Sequence, residues 1–165
     1  MNQRRQRFEA QALPHLDAAY NLARFLSRSP ADAEDIVQDA MLRAFRAFDG
    51  FRGGDAKPWL LTIVRNCWRS RFAAARRHPQ AVLDDAMAAD GGTPEDQAIA
   101  ASGRRRLRAM IDRLPQDYRE TLILREMEDM SYAEIAAVTG VPVGTVMSRL
   151  ARARVAVRQM AQEER

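Results

Sequence analysis

The sequence predicts an all-α protein: two small helical domains joined by a flexible acidic linker, the C-terminal one containing a helix-turn-helix. Three observations predict this. Every apolar periodicity in the 165 residues has helical spacing, and no segment alternates like a half-buried strand between hairpin turns. Helix caps and breakers punctuate the chain at intervals of a few turns. Charge divides it into three: residues 1–78 carry 14 basic and 8 acidic side chains, 79–101 carry 5 acidic and none basic, and 102–165 carry 12 basic and 9 acidic. The expected domains are therefore 1–78 and 102–165. The segment 79–101, with Pro79, Gly91, Gly92 and Pro94 and little apolar periodicity, reads as the linker.

Taken in order, the first helix is expected over about 5–27, perturbed at Pro14. Ser29 followed by Pro30 is an N-cap with proline at the first helical position. Ile36, Val37, Ala40, Met41, Ala44, Phe45 and Phe48 then form the apolar face of a helix of about four turns. The stretch "DGFRGGDAK" breaks it with three glycines. A third helix is expected from about 58 to 77. In the second domain a helix over about 104–114 is stopped by Pro115. Asp117 to Glu120 resembles a capping box opening a helix that ends near 128. "SYAE", with Ser131 and Glu134, is a capping box for a short helix ending at Thr139, with Gly140 as its C-cap. Pro142 and Gly144 bracket the start of a last helix running to about 160.

The short helix, the turn at Gly140 and the last helix have the form of a helix-turn-helix, whose second helix enters the DNA major groove by its N-terminal residues. At 100° per residue, Thr145, Ser148, Arg149 and Arg152 fall on one face, and Val146, Leu150, Ala153 and Val157 on another. The first face offers hydroxyls and guanidiniums to bases and phosphates. Gly144 allows close backbone approach where free N–H groups favour a phosphate. The same pattern also fits a bundle helix with a solvated arginine face.

Along the helix expected from 58 to 77, Thr62, Arg65, Asn66, Arg69 and Arg76 make a basic and amide-bearing stripe, with Leu60, Ile63, Val64 and Cys67 opposite. Phe51, Trp59, Trp68 and Phe72 are interleaved with it. Basic groups and aromatics beside a glycine-rich loop suit single-stranded nucleic acid, where bases stack on rings. Trp68 and Cys67 read as core; Trp59 suits core or stacking equally. The preceding helix exposes Asp32, Asp35, Gln38 and Asp39, an acidic patch that faces solvent or a basic protein.

Composition supports a globular chain with an anionic partner: 47% apolar residues, net charge +4, pI about 9.9, and Lys57 as the sole lysine beside many arginines. A G+C-rich genome would give the same arginine bias. The lone Cys67 excludes an internal disulfide framework and a zinc cluster, and fits a reducing cytoplasm. The first residues lack the apolar run of a signal peptide, and no stretch is long and apolar enough to span a membrane. His15 and His78 stand alone, so no catalysis, metal or cofactor is expected.

The chain resembles the extracytoplasmic-function (ECF) type of bacterial RNA polymerase sigma factor. The resemblance rests on "DAEDIVQDAMLRAFRAF", "FRGGDAKPWLLTIVRN", "LPQDYRETLILREMEDMSYAEIA" and "GVPVGTVMSRLARAR", which together cover most of the chain outside the linker. It implies a non-catalytic subunit that gives core polymerase its promoter preference. Asp32, Asp35, Gln38 and Asp39 would dock on the clamp helices of the core, with the flap as a second contact. Phe51, Arg52, Lys57, Trp59, Thr62, Arg65, Asn66 and Arg69 would open the −10 element and hold its unstacked bases. Gly144, Thr145, Ser148, Arg149 and Arg152 would read the −35 element as duplex. An anti-sigma factor is a further implied partner. After Asn66 the chain continues "CWRSRF", where the family often has small residues and an Asp. The linker, extended, spans at most roughly 75–80 Å, enough to join sites somewhat under two turns apart at roughly 34–36 Å per turn. Two other functions fit parts of the sequence. One is an autonomous helix-turn-helix repressor or activator. The other is a sigma-like mimic that titrates an anti-sigma factor, against which the retained Arg149 and Arg152 count.

Overall fold

Proline and cap chemistry place the first helices. The computed structural model describes residues 2–27, 29–77 and 94–165. Here α1 (Asn2–Ala12) and α2 (Leu16–Leu26) are separated by a 3-10 turn, Leu13–His15. The perturbation expected at Pro14 is thus a full break, because proline has no N–H to donate and its ring crowds the carbonyl four residues back. In α3 (Pro30–Ala47) the expected cap is present: Ser29 Oγ accepts from the Asp32 N–H at 3.1 Å, and Pro30 opens the helix. Gly53 and Gly54, at φ of 87° and 83°, then turn the chain into α4 (Ala56–Arg77). Asp55 Oδ1 accepts from the Lys57 N–H at 3.0 Å at the start of α4.

In the second lobe, α5 (Pro94–Asp112) starts well before residue 104, inside the segment read as linker; the remainder, 79–93, lies outside the described residues. Pro115 occupies the N-cap of α6 (Gln116–Glu126) and no side chain caps it. The capping-box reading of Asp117 and Glu120 is therefore corrected: both lie within the helix, and Glu120 is fully buried. The second capping box is present in both halves before α7 (Tyr132–Thr139), with Ser131 Oγ accepting from Glu134 N–H at 3.1 Å and Glu134 Oε1 accepting from Ser131 N–H at 3.0 Å. The last helix is α8 (Val143–Glu163).

Burial follows the apolar stripes. Leu22, Ile36, Leu60, Leu61 and Val64 close the first lobe, and Ile123, Leu124, Ile135, Val146 and Leu150 the second, each essentially without exposed surface. Burying such a side chain is worth about 1.5–3 kcal/mol. Cys67 and Trp68 are core, and Trp68 stacks on Phe72 at 5.3 Å. The lobes are not held apart: α4 packs on α7 and α2 on α6, and one apolar cluster runs through both.

Candidate nucleic-acid and protein interfaces

The α7–turn–α8 unit is set by local chemistry. Gly140 takes φ 70°, and its N–H donates to Ala136 O at 2.8 Å, closing α7. Pro142 then starts α8, accepting from the Thr145 and Val146 N–H groups. Val146, Leu150 and Ala153 anchor α8, as their angles require. Gly144, Ser148 and Arg152 are exposed; Thr145 and Arg149 are half-buried. Arg149 leans toward α6 and pairs with Asp117 at 3.5 Å. Ser148 Oγ donates to Thr145 O at 3.0 Å. The solvent-facing side of α8 is therefore rotated from the polar face read in the sequence. It also presents Val143, Met147, Ala151 and Val155, which the sequence reading did not name. Their signal was present for Met147, Ala151 and Val155, which lie off the Val146–Leu150–Ala153 face; Val143 falls in line with Leu150 and is exposed at the start of the helix.

The loop and α4 divide differently from the expected continuous stripe. Arg52, Asn66 and Arg69 are exposed. Phe51 and Trp59 are half-buried and face each other at 4.9 Å, with Phe48 stacked beneath Phe51 at 6.1 Å. Thr62 donates its hydroxyl to Pro58 O at 2.8 Å. Arg65, expected on the open stripe, is buried: its guanidinium donates through Nε to Glu120 Oε1 of α6. Lys57 Nζ donates to Glu128 O at 2.8 Å and lies 3.3 Å from Glu128 Oε2. Burial is the largest influence on Glu120 and pushes its carboxyl above the ordinary range, against the pull of Arg65. The helix period places Arg65 beside Arg69, but only the packing of the second lobe, which brings Glu120 of α6 onto Arg65, determines that Arg65 is covered and Arg69 is not.

The acidic patch on α3 is accessible. Asp35 and Asp32 lie 3.4 and 3.9 Å from Arg71 of α4, Asp39 pairs with Arg43 one turn on, and Gln38 is exposed. Exposed pairs of this kind are worth about 0–1 kcal/mol. Beside the patch, α1, α2 and α3 enclose an open groove of about 1420 Å³, floored by Phe8, Val37 and Met41, with Leu13, Leu16 and Leu42 on its lips and Gln38 on its rim. The sequence reading missed the groove because its walls come from three helices. Its signal was the apolar Leu13 and Leu42, both at least half exposed.

Among the described residues no His, Cys, Asp and Glu cluster could hold a metal ion, and no helix is long and apolar enough to cross a membrane.

Both lobes match known families. Residues 13–78 match the family described as Sigma-70 region 2, and residues 104–157 the one described as Sigma-70, region 4. The ECF RNA polymerase sigma-E factor of Escherichia coli (strain K12) is 39% identical over 137 residues, covering 76% of this chain and 72% of that protein. The ECF RNA polymerase sigma factor EcfG of Rhodopseudomonas palustris (strain TIE-1) is 40% identical over 146 residues, covering 87% and 77%. Among solved structures, the sigma factor RpoE in complex with the anti-sigma factor NepR, from Bartonella quintana, superposes with a TM-score of 0.77 at 29% identity over 97% of this chain and 99% of that one. CnrH in complex with the cytosolic domain of CnrY superposes with a TM-score of 0.68 at 26% identity over 98% and 91%.

Proposed function

Because this chain belongs to the ECF sigma factors, it binds RNA polymerase core and directs promoter-specific transcription initiation, and we propose how its surfaces divide that work. The second lobe, 102–165, reads the −35 element with α8. Ser148 and Arg152 face the bases, Thr145 and Arg149 line the edge toward α6, and Gly144 admits the phosphate backbone. The first lobe, 1–78, holds unstacked −10 bases between the Phe51–Trp59 pair and the polar side of α4. There Asn66, Arg69 and Arg52 are open, and Thr62, Lys57 and Arg65 complete the face. The segment 79–101, whose last part belongs to α5, joins the two.

Asp32, Asp35, Gln38 and Asp39 dock on a basic helical surface of core polymerase. The adjoining groove supports this reading, since an apolar trough whose lining includes the carboxylates of Glu9, Asp17 and Glu34 suits an amphipathic, cationic helix. An anti-sigma factor is the further partner; the superposition on RpoE over both lobes supports it. The protein itself catalyses nothing on this reading and works in the cytoplasm, where its polymerase is.

The single observation that carries the DNA assignment is the exposed, hydroxyl- and arginine-bearing side of α8, held outward by the buried Val146, Leu150 and Ala153. Run-off transcription with core polymerase on a genomic promoter library tests it. Start sites should share two spaced elements, and Ser148→Ala with Arg152→Ala should relax preference at the upstream one only. Duplex binding that needs no core polymerase, with no initiation, would favour the autonomous regulator instead.

A further inference from the structure

The outward side of α8 carries two different chemistries. Thr145, Arg149 and Arg152 follow the edge toward α6, where Arg149 pairs with Asp117 and Arg152 reaches Tyr118. Ser148 stands between the edges, exposed. The other edge is a ridge of apolar side chains, Met147, Ala151 and Val155, one turn apart from each other and all exposed. Met147 is 52% exposed and sits in the second turn of the helix, close to the end that leads into the groove. Exposed apolar residues scattered singly are ordinary on a protein surface. A ridge of three beside Ser148 and Arg152 is different, because the inward packing of α8 is already supplied by Val146, Leu150 and Ala153. Past Ala151 the ridge opens on a shallow hollow of about 260 Å³, lined by Ala151, Arg152, Val155, Ala156 and Gln159.

We propose that this ridge is the apolar half of the base reader, and that Met147, with Ala151 beside it, packs on the C5-methyl group of a thymine in the upstream element. The proposal rests on the reading of α8 as the −35 helix given above. Three points carry it. First, the ridge is continuous with Ser148, so a duplex seated on Ser148 and Arg152 covers Met147 as well. Second, the thymine methyl is the apolar group among the base edges of the major groove; the other edges are hydrogen-bond donors and acceptors. A thioether satisfies those poorly, and leaving one covered and unpaired is costly. Met147 therefore favours thymine and disfavours the other bases at one pair. Third, the side chain is unbranched and adaptable, and the small Ala151 one turn on leaves its approach open. The register follows from the helix rise. Met147 and Arg152 are five residues apart, about 7.5 Å along the axis, or about two base steps of 3.4 Å. The thymine belongs within about three base pairs of the pair that Arg152 reads.

The test uses holoenzyme assembled from the whole chain and core polymerase. Promoter duplexes randomised over about ten upstream base pairs, one duplex turn, are selected for binding. The most enriched duplex is then remade with deoxyuridine in place of each thymine in turn, which removes one methyl and keeps the base pairing. At one thymine, close to the pair where Arg152→Ala relaxes selection, binding should weaken about fourfold, the value of one buried methyl. Met147→Ser should bind the thymine and deoxyuridine duplexes alike. Met147→Leu, still apolar, should keep the difference, which a merely structural role would not distinguish. Met147→Arg should move the selected base at that position from thymine toward guanine, which an arginine fork takes. Met147 is exposed, so each variant should match the helicity of the wild type. A selected element without thymine, or no loss with any deoxyuridine duplex, overturns the methyl contact. A loss that persists unchanged in Met147→Ser overturns its assignment to Met147. In both cases relaxed selection by Arg152→Ala leaves the reading of α8 standing. If Arg152→Ala and Met147→Ser both leave the selected element unchanged, α8 is not the reader and the proposal falls with that reading.

Discussion

Arg149 and Arg152 sit one turn apart on α8 but begin from different states. Arg149 is tied to Asp117, whereas Arg152 is exposed, with Tyr118 Oη at 3.5 Å. Arg152→Ala should therefore cost on the order of 1–3 kcal/mol at the upstream element and relax specificity there, as measured by competition between matched and mismatched duplexes. An equal loss on every sequence would reduce Arg152 to a phosphate contact. Cys67 makes a different prediction. It has no exposed surface, and burial, the largest influence, pushes its thiol up to about 11. The folded chain keeps this proton where an unfolded thiol, near 8.5, has lost it. The stabilisation is complete below about pH 8.5 and is lost as pH rises toward 11. The urea midpoint of the wild type should fall across that window more than that of Cys67→Ala, and alkylation at pH 8 should wait for unfolding. The core reading of Cys67 was legible because its neighbours at helical spacing are apolar. The burial of Arg65 was not, since the side chain that covers it lies 55 residues away.

At the scale of elements, the two glycines around the α7–α8 turn have opposite roles. Gly140 stands at φ 70° with open space where a Cβ would go. Gly140→Ala should cost about 1–2 kcal/mol of stability from backbone strain alone, and Gly140→Asn less, by urea denaturation. Gly144 lies in the first turn of α8 with an ordinary φ and equally open space. Gly144→Ala should leave stability unchanged or raise it by up to about 1 kcal/mol. If the backbone there meets a phosphate, the same substitution should weaken binding to the upstream element. Stability and binding both rising would remove Gly144 from the interface. Caps, breaks and the helix-turn-helix itself could be read in advance because each is decided within four or five residues. The capping box read at Asp117 and Glu120 was overturned at the same local scale: Pro115 starts α6 without a side-chain acceptor.

For the whole molecule, the docking surface combines the α3 carboxylates with the groove across α1, α2 and α3. Asp35→Arg with Asp39→Arg should reduce co-purification with core polymerase by about tenfold or more, since the exposed pairs they replace are individually weak and readily exchanged. Leu42→Asp, on the groove lip, should do the same at unchanged helicity. Retention of the core by both variants would move the docking site elsewhere. Helix content, the caps at Ser29 and Ser131, the turn at Gly140, the lone buried thiol and the acidic and basic stretches were determined by sequence alone. Period, capping and charge are properties of neighbours along the chain. Tertiary packing decided which side of α4 and of α8 remains open, that three helices enclose a groove, and that Glu120 and Glu128 occupy Arg65 and Lys57. Those outcomes depend on which distant surfaces meet, and no local pattern carries the partner's position.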